Sequence, residues 1–359
     1  MNRVFSLGLE LGPQRLNLVQ MERASGHAGI RAMASIAHPF SFEELHQDPQ
    51  KLKASLKQAY ATQPFKGKRV VSCLPADQIK IITVAFRPMD GEKDTVPVIA
   101  ELRERLKGEL DDLVVDFMTL RQDESTTDKR DALVALAPRD KVVAHLDLLA
   151  RAGLEVDALD IGPAALARLV SHAGAIHAPG FPNLPNVLLV NFGADSSYLT
   201  VIWGRRLMLD RAVDFSENRL FTRLKQVLDM PQELAQRLLY EHAATPDSNS
   251  GVPHEARKMV SEVLRPEINA LLQEINKTLV YMASRTRGKS VDKIYLAGRV
   301  CNYPGVLTSL GEQLHVPVEK LDPVTVFGAQ NTRVANDLGT MAGMALTTGL
   351  ALRGVREHE

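Results

Sequence analysis

The chain has 359 residues, 45% of them hydrophobic and 24% charged, which is the balance of a folded protein of about two domains. Its 43 basic residues cancel its 43 acidic ones and aromatics make up only 5%, so bulk charge argues against a nucleic-acid or anionic-membrane partner. Cys73 and Cys301 lie far apart without CxxC spacing and read as reduced thiols; with neither a signal-peptide core nor a membrane-length apolar run, the cytoplasm is the expected compartment.

Residues 4–20 predict a strand, a tight turn at Gly12 and a second strand ending near Val19. Residues 49–62 predict a helix with Leu52, Leu56 and Tyr60 on one face, and 69–74 a buried strand. The stretch 79–86 predicts another strand, 96–112 a helix with Ile99, Leu102, Leu106 and Leu110 in register, then strands at 113–120 and 132–137, a helix at 139–152 and a strand at 155–159. That succession is a compact α+β unit inserted into the first half. Residues 173–186 hold three prolines and two glycines and are expected to be a connection between halves without regular structure.

The second half opens as the first does. Val187–Val190 predicts a strand, Gly193 a turn, Leu199–Trp203 a second strand, and Gly204 a further turn. Aligning Gly12 with Gly193 sets Glu10 opposite Asn191, a weak internal repeat that a pair of ordinary hairpins would also produce. Helices follow at 219–229, 231–243 and 255–286. Pro231 is expected to open its helix, and Pro266 to kink or break the long one. Thr245 to Pro253 reads as a loop. A strand at 293–298, a helix at 304–314 and a small-residue C-terminal helix complete the chain.

Chemistry-bearing motifs are few. The ten histidines form neither HExxH nor a Cys/His quartet, and His172, His177, His242 and His254 read as solvated. No GxSxG and no GxxxxGK[ST] occur. Basic clusters at Lys66, Lys68 and Arg69, at Arg205, Arg206 and Arg211, and at Arg285, Arg287 and Lys289 read as solvated faces.

The paired strand–Gly–strand openings, the late Leu296-Ala297-Gly298 strand end, the return Gly153-Leu154-Glu155-Val156-Asp157 and a terminal helix ending Gly349-Leu350-Ala351-Leu352-Arg353 together resemble the PilM family of type IV pilus assembly proteins, over essentially the whole chain. The resemblance implies an α/β, actin-like ATPase fold: two lobes with a duplicated strand–turn–strand core and an inserted α+β subdomain like that of the cell-division protein FtsA. It implies a first subdomain at 1–78 plus 158–178, the insertion at 79–157, a second actin-like subdomain at 187–212 plus 289–353, and a helical subdomain at 213–288.

In that family a nucleotide sits between the two glycine hairpins, with a carboxylate before each turn for magnesium. The positions that correspond here are Glu10, Gly12, Asn191, Gly193, Ser216 and Gly298, and they depart from the pattern. Glu10 replaces Asp, Pro13 removes a backbone donor, Asn191 is neutral, Ser216 and Glu217 replace paired glycines, and Arg299 replaces a glycine. The expectation is a degenerate cleft with no catalytic residue, no metal site and at most weak Mg-ATP binding, in which Arg15, Arg299 and Glu10 could bridge the lobes. The resemblance also implies a groove between first lobe and insertion that receives the cytoplasmic N-terminal tail of a PilN-like bitopic inner-membrane protein, with Ile79, Ile81, Val84, Ile99 and Leu102 as candidate contacts. Other pilus platform or motor proteins would be further partners. The alternatives are an active ATPase of the same fold, which needs working acids at both hairpins, and an FtsA-like filament former, which needs a membrane anchor.

Overall fold

The computed structural model describes residues 3–24, 27–89, 91–107, 110–120, 129–177, 185–204, 206–244, 254–327 and 341–356. Two five-stranded sheets repeat one topology. In the first, β1 (Arg3–Leu11) pairs antiparallel with β2 (Arg15–Ala24), which pairs antiparallel with β3 (His27–Ala37). On its other edge β1 runs parallel to β4 (Arg69–Cys73), and β4 parallel to β8 (Glu155–Asp160). In the second, β9 (Val187–Asn191) takes the place of β1: antiparallel to β10 (Ser197–Trp203), which pairs with β11 (Arg206–Val213), and parallel to β12 (Lys293–Ala297), which pairs with β13 (Val318–Lys320). The weak repeat seen around Gly12 and Gly193 is therefore a duplication of a whole sheet.

The first sheet is covered on one side by α1 (Phe42–Gln47) and α2 (Pro49–Thr62). Ser41 and Glu44 cap α1 reciprocally, and the Asp48 carboxylate accepts from Gln50 N at 3.1 Å to start α2, with Pro49 in the first turn. Neither β3 nor α1 was expected from the sequence.

The insertion is a three-stranded sheet, β5 (Lys80–Phe86), β7 (Arg130–Pro138) and β6 (Leu113–Leu120) in that order, with α3 (Thr95–Arg105) on one face. The predicted helix 96–112 stops early, since Leu106 ends it and Lys107 takes a positive φ of 49°. The next helix, α4 (Arg139–Arg151), carries Leu148 and Leu149 into the first lobe's core. The return strand β8 pairs with β4 from its first residue, so the first lobe resumes at Glu155 and not at 158.

A helix, α5 (Gly162–His177), runs through the start of the segment expected to be irregular, because the first proline after Gly162-Pro163 is Pro179. The helical part of the second lobe comprises α6 (Glu217–Leu228), α7 (Gln232–Ala244) and α8 (His254–Arg285). Pro231 precedes α7 and caps it through its carbonyl, which accepts from Ala235 N at 3.1 Å. Pro266 does not break α8, which continues for 32 residues. Leu264, Ile268, Leu271 and Ile275 are buried on both sides of the proline, and that packing outweighs one lost backbone bond. Residues 245–253, read as a loop, lie outside the described residues.

On one face of the second sheet lies α9 (Val306–Gln313), while α10 (Pro323–Phe327) sits on the other face, against α5 and β3 of the first lobe. The last helix, α11 (Ala345–Arg356), corrects the expected division most sharply. It follows the second lobe in sequence but packs on α5, β1, β2 and β4 of the first. Gly8 and Gly349 permit this: a Cβ on Gly8 would lie 2.1 Å from Thr347 O, and one on Gly349 2.1 Å from Ala165 O. Leu166 and Leu169 of α5 and Leu352 of α11 share one buried cluster with Val187, Leu189 and Tyr295 of the second sheet, so the lobes are joined by a continuous apolar waist.

Beneath β4, His145 of α4 is buried with Nε2 3.0 Å from Ser72 Oγ. Burial, helped by nearby His46, pushes its pKa down to about 4. The folded state resists a proton that the unfolded chain takes up near pH 6.5. Stability present above pH 6.5 is thus lost as pH falls through about 4, by about 3 kcal/mol for a shift of this size. Urea melts at pH 7 and pH 4.5 are expected to show a smaller acid loss for His145→Gln than for the native chain.

Candidate functional site

Among the described residues, the first lobe borders cavities that gather the candidate positions. One, of about 300 Å³, lies between the lobes and brings together Glu10, Gly12, Asn191 and Gly193 of the two hairpins. Ser216 and Gly298 do not line it, but they build its second-lobe wall. Gly298, at φ 99°, stands where a Cβ would come 2.5 Å from Phe192 O, so only glycine lets β12 end against the second hairpin. Ser216 caps α6 by accepting from Arg219 N at 3.2 Å.

Some of the donors that a phosphate could seek are already used. At the start of α6, Glu217 N and Asn218 N donate to Gly193 O and Ala194 O, each at 3.0 Å. At the first hairpin, Gly12 N donates to Arg15 O at 2.9 Å. The carboxylate of Glu10 accepts from Thr347 Oγ1 at 2.7 Å and from Asn17 Nδ2 at 3.1 Å, while burial raises its pKa against those two bonds. Asp77, Asp195 and Asp210 join Glu10 along the cavity, and no Lys or Arg lines it among the described residues. Burial raises Asp210 to about 6, only partly opposed by a bond from Thr200 Oγ1 at 2.5 Å. A polyphosphate entering here would meet carboxylates without a compensating cation.

Beside this cavity the second lobe fills its own cleft. The Arg299 guanidinium donates to Glu217 at 2.9 Å, lies 4.6 Å from the centre of the Tyr240 ring, and reaches Tyr240 Oη at 3.3 Å. Tyr303 Oη donates to the other Glu217 oxygen. Burial, the largest single influence, would lower the pKa of Arg299, but Glu217, Tyr240 and Tyr303 together outweigh it and the net shift is upward. The expected lobe bridge therefore does not form as read. Arg299 pairs within its own lobe, Glu10 is held by Asn17 and Thr347, and Arg15 is tied to Ser35 through Nε at 2.6 Å.

A second cavity, about 420 Å³, is a groove whose floor is the face of the three-stranded sheet opposite α3. Ile81, Ala135 and Asp116 form one cross-strand row of that floor, and Leu133 with Met118 the next. Leu159, Ile161 and Ala164 of the first lobe make the far wall, with Arg168 and Arg353 at its rim. Of the candidate contacts, Ile79 and Ile81 line the groove. Val84, Ile99 and Leu102 do not: Val84 and Leu102 are fully buried in the insertion's own core, and Ile99 packs against it. Alternation along β5 separates the two sets.

The family described as "Type IV pilus assembly protein PilM" matches residues 8–355, nearly the whole chain. The chain belongs to the PilM family. Its duplicated sheets are those of the actin-like ATPase fold. A solved "PilM-PilN type IV pilus biogenesis complex" superposes with a TM-score of 0.76 at 21% identity, covering 99% of both chains. The ethanolamine utilization protein EutJ from Carboxydothermus hydrogenoformans gives 0.50 at 14% identity, covering 96% of this chain and 90% of its own. Glu217 and Arg299 stand at two of the positions where the sequence resemblance led glycines to be expected, and Tyr240 joins them only through the fold.

Sequence reasoning missed Asp210, Tyr240 and Tyr303, which no motif marks. It also misread His172, expected to be solvated, whose ring packs against Phe327 with centroids 5.5 Å apart. The side chains of His177, His242 and His254 lie outside the described residues. Each of the three basic clusters has a structural member: Arg69 pairs with Asp157 at 2.7 Å, Arg211 with Glu274 at 2.9 Å, and Arg285 with Asp131 of the insertion at 3.0 Å.

Proposed function

We propose that this PilM chain is a non-catalytic scaffold that holds the cytoplasmic N-terminal tail of a PilN-like inner-membrane protein in the groove between first lobe and insertion. It would thereby sit at the cytoplasmic side of a pilus assembly platform. The observation that carries the reading is the groove itself: a cavity of about 420 Å³ between the insertion's sheet, α4 and the first lobe, lined mostly by apolar side chains. An extended segment buries alternate side chains in such a site. The solved PilM–PilN complex, matched over the full length, supports the choice of partner. Among the described residues no helix is long and apolar enough to cross a membrane, so the partner would supply the attachment. We further propose four parts: the first lobe with α11, the insertion up to β7, the second sheet, and the helices α6–α8.

The test is calorimetric titration of a peptide spanning the cytoplasmic tail of the PilN-like protein from the same assembly. Ala135→Trp, which would fill the middle of the groove floor, is expected to weaken binding at least about tenfold, some 1.4 kcal/mol. An unchanged affinity, or no binding by the native chain, would sink the reading. The scaffold role is also favoured by the acidic, self-occupied cleft. Titration with Mg-ATP should therefore give no saturation below about 1 mM, against the micromolar binding an ATPase uses.

A further inference from the structure

The groove has two carboxylates in its lining, Asp116 and Asp160, in opposite electrical situations. Asp160 is spoken for. It accepts from Ile161 N at 2.8 Å, is gripped by Arg168 from the same helix that walls the groove, and lies 3.4 Å from Arg353. The side chain of Asp116 stands exposed on the floor, between Val114 and Met118 on the same face of β6 and beside Ala135. Among the described residues its one hydrogen bond is from the neighbouring Phe117 N at 2.9 Å, and no cation pairs with it. An unpaired carboxylate in the middle of an otherwise apolar floor becomes costly once a ligand displaces its water. That cost vanishes only if the ligand brings a positive charge.

We propose that Asp116 makes the groove selective for a tail that sets a Lys or Arg between apolar anchors; this rests on the groove being the tail site. The chemistry of the occupant fits. Cytoplasmic segments next to a membrane span carry an excess of Lys and Arg. Arg168 and Arg353 at the rim would in turn oppose a second cation there, so charge fixes the register of the extended segment as well as its identity.

The experiment uses the full chain and the same tail peptide, with each basic residue replaced in turn by Gln and by Glu. One position is expected to lose about tenfold as Gln and more as Glu. Asp116→Lys should reverse the order, binding the Glu peptide better than the native one, and Asp116→Asn should bind the native and Gln forms alike. The proposal is overturned if every charge change leaves affinity within about twofold while Ala135→Trp still abolishes binding, because then the groove holds the tail without reading its charge. If the native chain binds no form of the peptide, the site assignment itself is wrong and this inference falls with it. Circular dichroism of both Asp116 variants should match the native chain, since the side chain supports no other element.

Discussion

Glu217→Ala is expected to destabilise the chain by about 3 kcal/mol, the lower end of what breaking a buried ion pair costs. The carboxylate is almost fully buried and serves two groups, Arg299 and Tyr303, while the backbone N–H of the same residue, which alanine keeps, donates to Gly193 O. Removing it leaves a guanidinium facing Tyr240 without a counter-charge and leaves Tyr303 Oη, itself nearly buried, without an acceptor. Arg299 keeps some solvent contact, which is why the upper end of the range is not expected. The chemical signature is non-additivity. Replacing both charges, Glu217→Leu with Arg299→Met, should recover much of the loss, because two desolvated charges are exchanged for apolar volume. Urea denaturation of the four proteins in the cycle would measure it. If Glu217→Ala costs under about 1 kcal/mol, the pair is ornamental and the cleft is not self-occupied in the sense argued above.

The consequence for function runs through helix α6. Its first two N–H groups go to the second hairpin, the third to the Ser216 hydroxyl, and its first side chain to Arg299, so the positive end of the helix is neutralised inside the lobe. The lobes are joined by the apolar waist of α5, α11 and the second sheet, which needs no ligand.

Much of this was legible in the sequence, and the residues say why. The helix at 49–62 and the strand at 113–120 were read to the residue because each combines strong periodicity with a defined start. β3 was not, since His27–Ala37 is mostly alanine, glycine and methionine with no alternating β-branched pattern, and only pairing with β2 makes it a strand. The hairpin residues Glu10, Gly12, Asn191 and Gly193 were found because glycine and a neighbouring acid carry a motif. The partner of Arg299 could not be found that way: Glu217 is 82 residues earlier, and the pair exists only once the second lobe is folded. The same holds within β5, where alternation splits Ile81 from Val84 but does not say which face a helix will cover.

Helix α11 is where sequence order misleads most, and where a single methyl group should do most damage. Gly349→Ala is expected to destabilise by about 3 kcal/mol or more, as overpacking against atoms that cannot rotate away. The new Cβ would stand 2.1 Å from Ala165 O and 2.5 Å from its carbonyl carbon, both backbone atoms of α5. Relief requires α11 to lift off the first lobe, which strains the Arg168 bond to Gly349 O (2.7 Å) and the Thr347 bond to Glu10 (2.7 Å). Gly8→Ala should act alike from the opposite side, since its Cβ would meet Thr347 O at 2.1 Å and Ala351 N at 2.6 Å. Gly311→Ala is the contrast: it lies in α9 with nothing within 4 Å and should gain about 0.5–1 kcal/mol from helix propensity. Because α11 also carries Arg353 to the groove and Leu346 to the cleft, Gly349→Ala should weaken tail binding at temperatures where the chain is still folded. A thermal melt read beside the peptide titration separates the two effects: full affinity with a lowered melting point would mean that α11 supports the lobe without shaping the groove.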